Sequence, residues 1–318
     1  MHVVMAYPQY SLDEELANFF AKTTANRSAC DARAEELVGG KATPVAVQGN
    51  CSYSIYAGPC LEYVVQFRLE SLRLGMGVTS LATQLYGGVT HLDFILSHDS
   101  PDNSPESSAR RRRLMVGVAR FFAHAWKTPE PVDQNYRASM RETFEKELRM
   151  LLGALPARLH TTIQRCIDSI DAIFSLPMVI LHKGFGTCNI MVDETTCELV
   201  GVIDWAEATI CPFGLNLHSL QTLTGELNLR RGWMRYDDYH DMHGIFWETF
   251  EDEVGGVEES FMEAIRMARI VGLLLSKGFT SRLEAEPSPI GNDERGRYNM
   301  LSLDGFLLIP ETKFEGVH

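Results

Sequence analysis

The chain has 318 residues, 45% hydrophobic and 22% charged, with a formal net charge of −13, which gives ample apolar material for one large domain or two lobes. That acidic balance excludes nucleic-acid and anionic-lipid surfaces, because both partners need clustered Lys and Arg. Seven cysteines at scattered spacings, with no CxxC pair, give neither a disulfide framework nor a zinc site; with no basic leader and no apolar run of membrane length, a cytoplasmic protein is expected.

In chain order, Ser11-Leu12-Asp13-Glu14 has the form of a capping box, and Leu16, Phe19 and Phe20 follow at helical spacing. From 43 to 68 the texture changes to strand. Tyr53, Ile55 and Tyr56 precede a Gly58-Pro59 turn, and Tyr63 to Arg68 follow it, which reads as a hairpin. A short helix is predicted over 78–86, closed by Gly87-Gly88. The polar stretch 99–108 reads as a loop, and the basic run Arg110 to Arg113 as a solvated helix start.

Three apolar stripes at helical spacing follow. Leu114, Val118, Phe121, Phe122 and Ala125 form the first; Met140, Phe144, Leu148, Leu151 and Leu152 the second; Ile163, Ile167, Ile170 and Phe174 the third. Short strands are predicted at 178–181, 190–193 and 199–204, then long helices at 236–254 and 258–283. The stretch 284–297 reads as a loop, and the last twenty residues carry no strong period. The expected architecture is α+β: a truncated β-rich N-terminal lobe over 1–88 and a mainly helical lobe over 89–318. Such a plan places a small-ligand cleft between the lobes.

The chemistry concentrates in MVILHKGFGTCNIMVDETTCELVGVIDWAEATICPFG, residues 178–214. A strand ends at His182, a loop carries Asn189, and the second strand of a hairpin ends at Asp204. Phosphoryl transfer uses such parts: a carboxylate to orient the attacking hydroxyl, and an Asn and a further Asp to hold Mg²⁺ against the phosphates. His182, Asn189, Ile203-Asp204-Trp205 and Pro212-Phe213-Gly214 resemble the Brenner-type motif and metal-binding segment of aminoglycoside-phosphotransferase-like proteins. FGTCNIMVD and Val64-Val65-Gln66-Phe67-Arg68 are similar to the fungal members. The resemblance runs from about residue 45 to 306 and implies a bilobal protein-kinase-like fold that uses Mg-ATP when intact.

The chain departs from that pattern at three places. Five residues before Asn189, where the family's catalytic aspartate is expected, stands Gly184; losing a positioned acid–base group costs ~10²–10⁴ in rate. The span from Tyr86 to His91 leaves no room for the two strands and hinge that hold adenine in the family. The strand lysine has no counterpart, with Gln66 near its place and Arg68 beside it.

The expectation is a repurposed phosphotransferase fold, no longer a kinase, that binds and converts a small organic metabolite by cyclisation, isomerisation or dehydration. The resemblance places it in a natural-product pathway. An ATP-dependent small-molecule phosphotransferase and a non-catalytic pseudokinase are the alternatives. Catalytic candidates are His182, Asp204 and Glu207, with a loop brace the favoured reading of His182 and a solvent-facing or capping residue that of Glu207. Ligand-binding candidates are Arg68, Gln66, Lys183, Asn189 and Trp205, and Asn189 with Asp204 forms a vestigial Mg²⁺ site. No cofactor is expected, with Mg-ATP entering only under the kinase alternative. The polar group His91, Asp93, His98 and Asp99 is not read as a metal site, for want of an open coordination plan.

Overall fold

The computed structural model describes residues 11–45, 48, 52–61, 63–69, 88–98, 104–228, 232–280, 288–291 and 296–315. The helix expected over 78–86, Gly87, Cys51 and Asp99 lie outside them, while the rest of the shortened span, from Gly88 to His91, lies within them. The chain divides into two compact units, Met1–Gly75 and Met76–His318.

In the first unit, helix α1 (Leu12–Phe20) starts where expected, with the Glu14 amide donating to Ser11 Oγ at 3.4 Å. A second helix that the sequence pattern does not announce, α2 (Arg27–Val38), is capped by Asn26 and buries only Cys30 and Ala34. Two small buried residues make too faint a stripe to read. Strands β1 (Thr43–Pro44), β2 (Ser52–Ala57) and β3 (Tyr63–Arg68) form an antiparallel sheet in that order, with Ser52 opposite Arg68 and Ala57 opposite Tyr63. Period-two alternation turns Tyr53, Ile55 and Ala57 onto Leu16 and Phe19. The Tyr53 hydroxyl donates to Asp31 Oδ1 at 2.6 Å, which binds α2 to the sheet.

The second unit opens with β4 (Val89–Thr90) and α3 (His91–Ser97). The long helices α4 (Pro105–Lys127) and α5 (Gln134–Ala154) follow, then α6 (His160–Asp168) and α7 (Ile170–Ser175). Ser104 caps α4, with Pro105 in the first turn, where its missing N–H costs nothing. The hairpin β6 (Ile190–Val192) and β7 (Leu199–Val202) joins β4 in a three-stranded antiparallel sheet. Strand β5 (Met178–Leu181) pairs with β8 (Thr209–Pro212), Met178 lying opposite Pro212. After the one-turn helix α8 (Gln221–Thr224) comes the hairpin β9 (Gly225–Asn228) and β10 (Gly232–Arg235). Helices α9 (Tyr239–Val254), α10 (Glu259–Lys277) and α11 (Arg297–Leu307) close the unit.

All three apolar stripes are core. Phe122 meets Phe213 and Phe246 edge-on, and Phe213 stacks on Phe250 with ring centroids 5.4 Å apart. Each such ring contributes about 1.5–3 kcal/mol by burial. The C-terminal stretch, expected to be without period, contains α11, which buries Met300, Leu303, Phe306 and Leu307. Among the described residues no cysteine is joined in a disulfide, and no helix is long and apolar enough to cross a membrane.

One surface expectation is corrected. The run Arg110 to Arg113 is not solvated throughout. The Arg110 and Arg111 side chains are 14% and 12% exposed. Arg111 donates from Nε (3.0 Å) and Nη2 (2.8 Å) to Asp238 Oδ2, and Arg110 lies over the Phe94 ring. The helical turn divides the run, so that Arg110 and Arg111 point inward while Arg112 and Arg113 stay exposed. A charge count along the chain cannot see that division.

Candidate functional site

Pairing with β8 fixes the end of β5, and the chain leaves it through His182, Lys183 and Gly184. Phe185 then turns inward and stacks on Phe121, with centroids 5.4 Å apart, while meeting Phe122 edge-on. This buried ring anchors the loop, and the motif reading missed it; its one sequence signal is an aromatic between two glycines. The amides of Asn189 and Ile190 both donate to the Gly186 carbonyl, at 2.9 and 3.0 Å, and the Leu92 amide of α3 donates to the Thr187 carbonyl at 3.0 Å. The loop is therefore closed on itself and held from outside.

His182 is buried, and its Nε2 donates to the Ile203 carbonyl at 2.7 Å. A carbonyl only accepts, so the proton sits on Nε2, and the buried Nδ1 has no hydrogen-bond partner. Burial is the main influence on the ring and lowers its pKa below the ordinary histidine value, favouring the neutral form. The ring also meets Trp205 edge-on, 4.9 Å between centroids. These contacts make His182 a brace between the loop and the end of β7.

Asp204 follows directly. Its backbone is left-handed, at φ 61° and ψ 56°, a conformation that Asp and Asn tolerate and bulkier residues resist. Hydrogen bonds hold the chain on either side of it: the Ile203 amide donates to the Asn189 carbonyl at 2.9 Å, and Trp205 Nε1 to the Val202 carbonyl at 2.7 Å. Such backbone recurs where a structure holds a functional side chain in place. Trp205 thus faces inward, tilted against Phe121, while Asp204 and Glu207 are exposed.

Asn189 Nδ2 donates to the Gly184 carbonyl at 2.8 Å. That bond orients the amide and leaves Oδ1 as its remaining acceptor. At position 184 there is no side chain, and a Cβ placed there would lie 3.0 Å from Asn189 Nδ2 and 3.6 Å from His182 Cε1. Oδ1 of Asn189 and the Asp204 carboxylate suit a hard cation that also leans on ligand phosphates. Among the described residues no three His, Cys, Asp or Glu side chains are grouped as a metal ion would need. The donor set thus fits the metal half of a phosphotransfer site and lacks its acid–base half.

The loop and hairpin carry His182, Lys183, Asn189, Asp204, Trp205 and Glu207, and the ring contact of His182 with Trp205 and the Ile203–Asn189 backbone bond join the two ends of that segment. Gln66 and Arg68 belong to the first unit, where Arg68 Nη1 donates to Gln66 Oε1 at 3.2 Å and Gln66 Nε2 to Ser54 Oγ at 3.1 Å. The polar group on α3 does not converge. His91 is buried, Asp93 accepts from the Thr90 hydroxyl at 2.6 Å, and His98 stacks on Phe94 at 4.1 Å.

Residues 89–240 match the model of the phosphotransferase enzyme family. Comparison with curated proteins finds no match. Among solved structures, a macrolide 2'-phosphotransferase type I superposes with a TM-score of 0.50 at 13% identity, over 80% of this chain and 91% of that one. An aminoglycoside 2'-phosphotransferase-IIIa, in its GDP complex, gives 0.50 at 12% identity, over 83% of this chain and 91% of that one. At such identities the likeness establishes the fold: α+β and protein-kinase-like.

Proposed function

We propose that this chain, which belongs to the aminoglycoside-phosphotransferase-like family, binds a small organic metabolite and transfers no phosphoryl group. The observation that carries this reading is position 184. A hydroxyl acceptor needs a group to orient it and take its proton, and Gly184 offers only a carbonyl already bonded to Asn189. The neighbours do not replace it. His182 has its Nε2 committed to Ile203 and its acceptor, Nδ1, buried away from solvent, and the Lys183 ammonium is a donor without an acceptor atom.

What remains is a carboxylate at Asp204, a second at Glu207 and an amide oxygen at Asn189, all on a rigid loop. Such groups suit proton transfers on a bound metabolite, as in a cyclisation, isomerisation or dehydration. A natural-product precursor is the substrate class proposed, with no cofactor. One observation favours the alternative, an ATP-dependent small-molecule phosphotransferase: the Asn189 amide is oriented so that its Oδ1, with Asp204, could share a Mg²⁺ ion. On that reading the missing base alone would slow transfer by ~10²–10⁴.

Titration of Mg-ATP and Mg-GTP into the full chain, with a phosphate-transfer assay on hydroxylated acceptors, separates the two. The expected result is no binding and no transfer. Micromolar nucleotide affinity that Asp204→Asn abolishes, together with a phosphorylated acceptor, would establish the alternative. Incubation with metabolite extracts, read by mass spectrometry, should reveal a conversion or a retained ligand that Asn189→Ala and Asp204→Asn lose at unchanged melting temperature. Full activity in both variants would move the site out of this loop.

A further inference from the structure

The sheet of the first unit has two edges, and they are built differently. At the β1 edge the strand is two residues long, and its second residue is Pro44. The Val45 amide donates to the Ser54 carbonyl at 3.0 Å, so residue 45 faces β2 and residue 44 faces outward. An outward proline offers no N–H to a further strand, and a short strand offers little length. Both devices protect a sheet edge from pairing.

The β3 edge carries neither. Ser54 turns its amide and carbonyl towards the β1 side, where the Gln48 side-chain amide meets both, at 2.8 and 2.9 Å. Alternation along β2 then points the main-chain groups of Tyr53, Ile55 and Ala57 at β3, and those of their opposites, Phe67, Val65 and Tyr63, point back. The N–H and C=O of Val64 and Gln66 are left facing outward, and among the described residues no strand lies beside them. The register runs unbroken from Ser52 opposite Arg68 to Ala57 opposite Tyr63, without a bulge to twist the edge away. The strand reads Tyr-Val-Val-Gln-Phe-Arg, rich in β-branched and aromatic residues, with no proline and its one charge at the end. A bare edge of this composition recruits strands, so a folded protein that keeps one has a partner for it.

We propose that the partner is a second copy of this chain, paired β3 to β3, antiparallel, about a two-fold axis through Val65. Val64 and Gln66 flank that point symmetrically, so the outward groups of Val64 in one copy exchange both hydrogen bonds with those of Gln66 in the other. The residues between them form the close pairs without hydrogen bonds: Val65 with Val65, and Tyr63 with Phe67 of the second copy, twice over. Directly opposite residues share a face, so these pairs continue the apolar layer that Val65 and Phe67 already join in one copy. Tyr63, 50% exposed in the single chain, gains an aromatic neighbour there. Charge permits the contact. Residues 1–75 carry eight acidic and six basic side chains, so most of the chain's negative charge belongs to the second unit and two first units repel weakly. The pairing rests on the first unit alone and is independent of any chemistry at Asp204.

The test is sedimentation equilibrium of the full chain over roughly 1–100 µM, where a dimer that dissociates on dilution is expected. Val64→Pro removes an outward N–H that the sheet itself does not use. Because the two-fold axis doubles every contact, it should raise the dimer dissociation constant by about tenfold or more. Tyr63→Lys sets a charge on the joint from a half-exposed position and should do the same; this variant decides the matter if Val64→Pro does not fold. Amide hydrogen exchange reads the edge directly: the Gln66 amide should be protected in concentrated samples and lose that protection on dilution. A monomer at the top of the range, a dimer that Tyr63→Lys leaves unchanged, or a Gln66 amide equally protected at every dilution overturns the proposal.

Discussion

Replacing Gly184 by Asp restores the carboxylate where phosphotransfer would need it, and the structure sets out what that can achieve. The backbone at 184 lies outside the left-handed region, so an L side chain is allowed there. Giving up a glycine stabilises by about 0.4–1 kcal/mol through the unfolded chain. Against this, the new Cβ would stand 3.0 Å from Asn189 Nδ2, and the amide must yield by a few tenths of an ångström. Weakening its 2.8 Å bond to the Gly184 carbonyl forfeits part of the ~0.5–1.5 kcal/mol such a bond contributes. The two effects nearly cancel, so Gly184→Asp should fold, with a melting temperature close to that of the wild-type chain. Its activity should nevertheless stay at background. A base multiplies the rate by ~10²–10⁴, whereas positioning the reactants is a separate and larger factor, up to ~10⁵–10⁸ in effective molarity. Single-turnover transfer from labelled ATP to a panel of hydroxylated acceptors is the assay, with Gly184→Asn as a control of equal size and no base. A hundredfold rise in Gly184→Asp that Gly184→Asn lacks would refute the reasoning, since nucleotide positioning would then be intact.

Two further predictions concern stability. Arg111→Met, which breaks the mostly buried pair with Asp238, should lower urea stability by about 1–3 kcal/mol, while Arg112→Met on the exposed side of the same run should stay within about 0.5 kcal/mol; equal effects would mean the pair contributes nothing. Burial lowers both His91 and His243 to about 4, so between that pH and the ordinary histidine value the unfolded chain binds more protons than the folded one. Their contribution should be complete above about pH 6.5 and fall as pH drops towards 4, by up to roughly 3 kcal/mol each. Urea titrations from pH 7.5 to 4.5 check this, His91→Leu should flatten the slope, and a stability independent of pH over that range would rule it out.

Much of this was legible in the sequence wherever local pattern and local role coincide. The loop from His182 to Asn189, the hairpin after it and Asp204 at its end are contiguous, and their spacing shows that they share one segment without tertiary knowledge. Gly184 announced its missing carboxylate in the same way. What escaped was built from distant partners or from elements without a strong stripe. The Arg111–Asp238 pair joins residues 127 positions apart, and Arg235 reaches the carbonyls of Thr312 and Lys313 across 77 and 78 positions. The β9–β10 hairpin mixes polar and apolar residues in strands of four, too short to show an alternation. Helix α2 was hidden by its two small buried residues. The motif named His182 and favoured a brace over a base there, a reading with which the bond to the Ile203 carbonyl agrees.

The left-handed backbone at the end of β7 also bears on which residues mutation can leave there. Glycine meets that conformation at least cost, asparagine and aspartate come next, and β-branched residues fare worst. A single base change turns an aspartate codon into one for glycine or asparagine, so the two neutral residues best suited to this backbone are each one step away. The conformation asks only for a small or locally bonding side chain, and either neighbour would satisfy it without an exposed negative charge. Asp204 therefore brings an exposed carboxylate that its own backbone does not require.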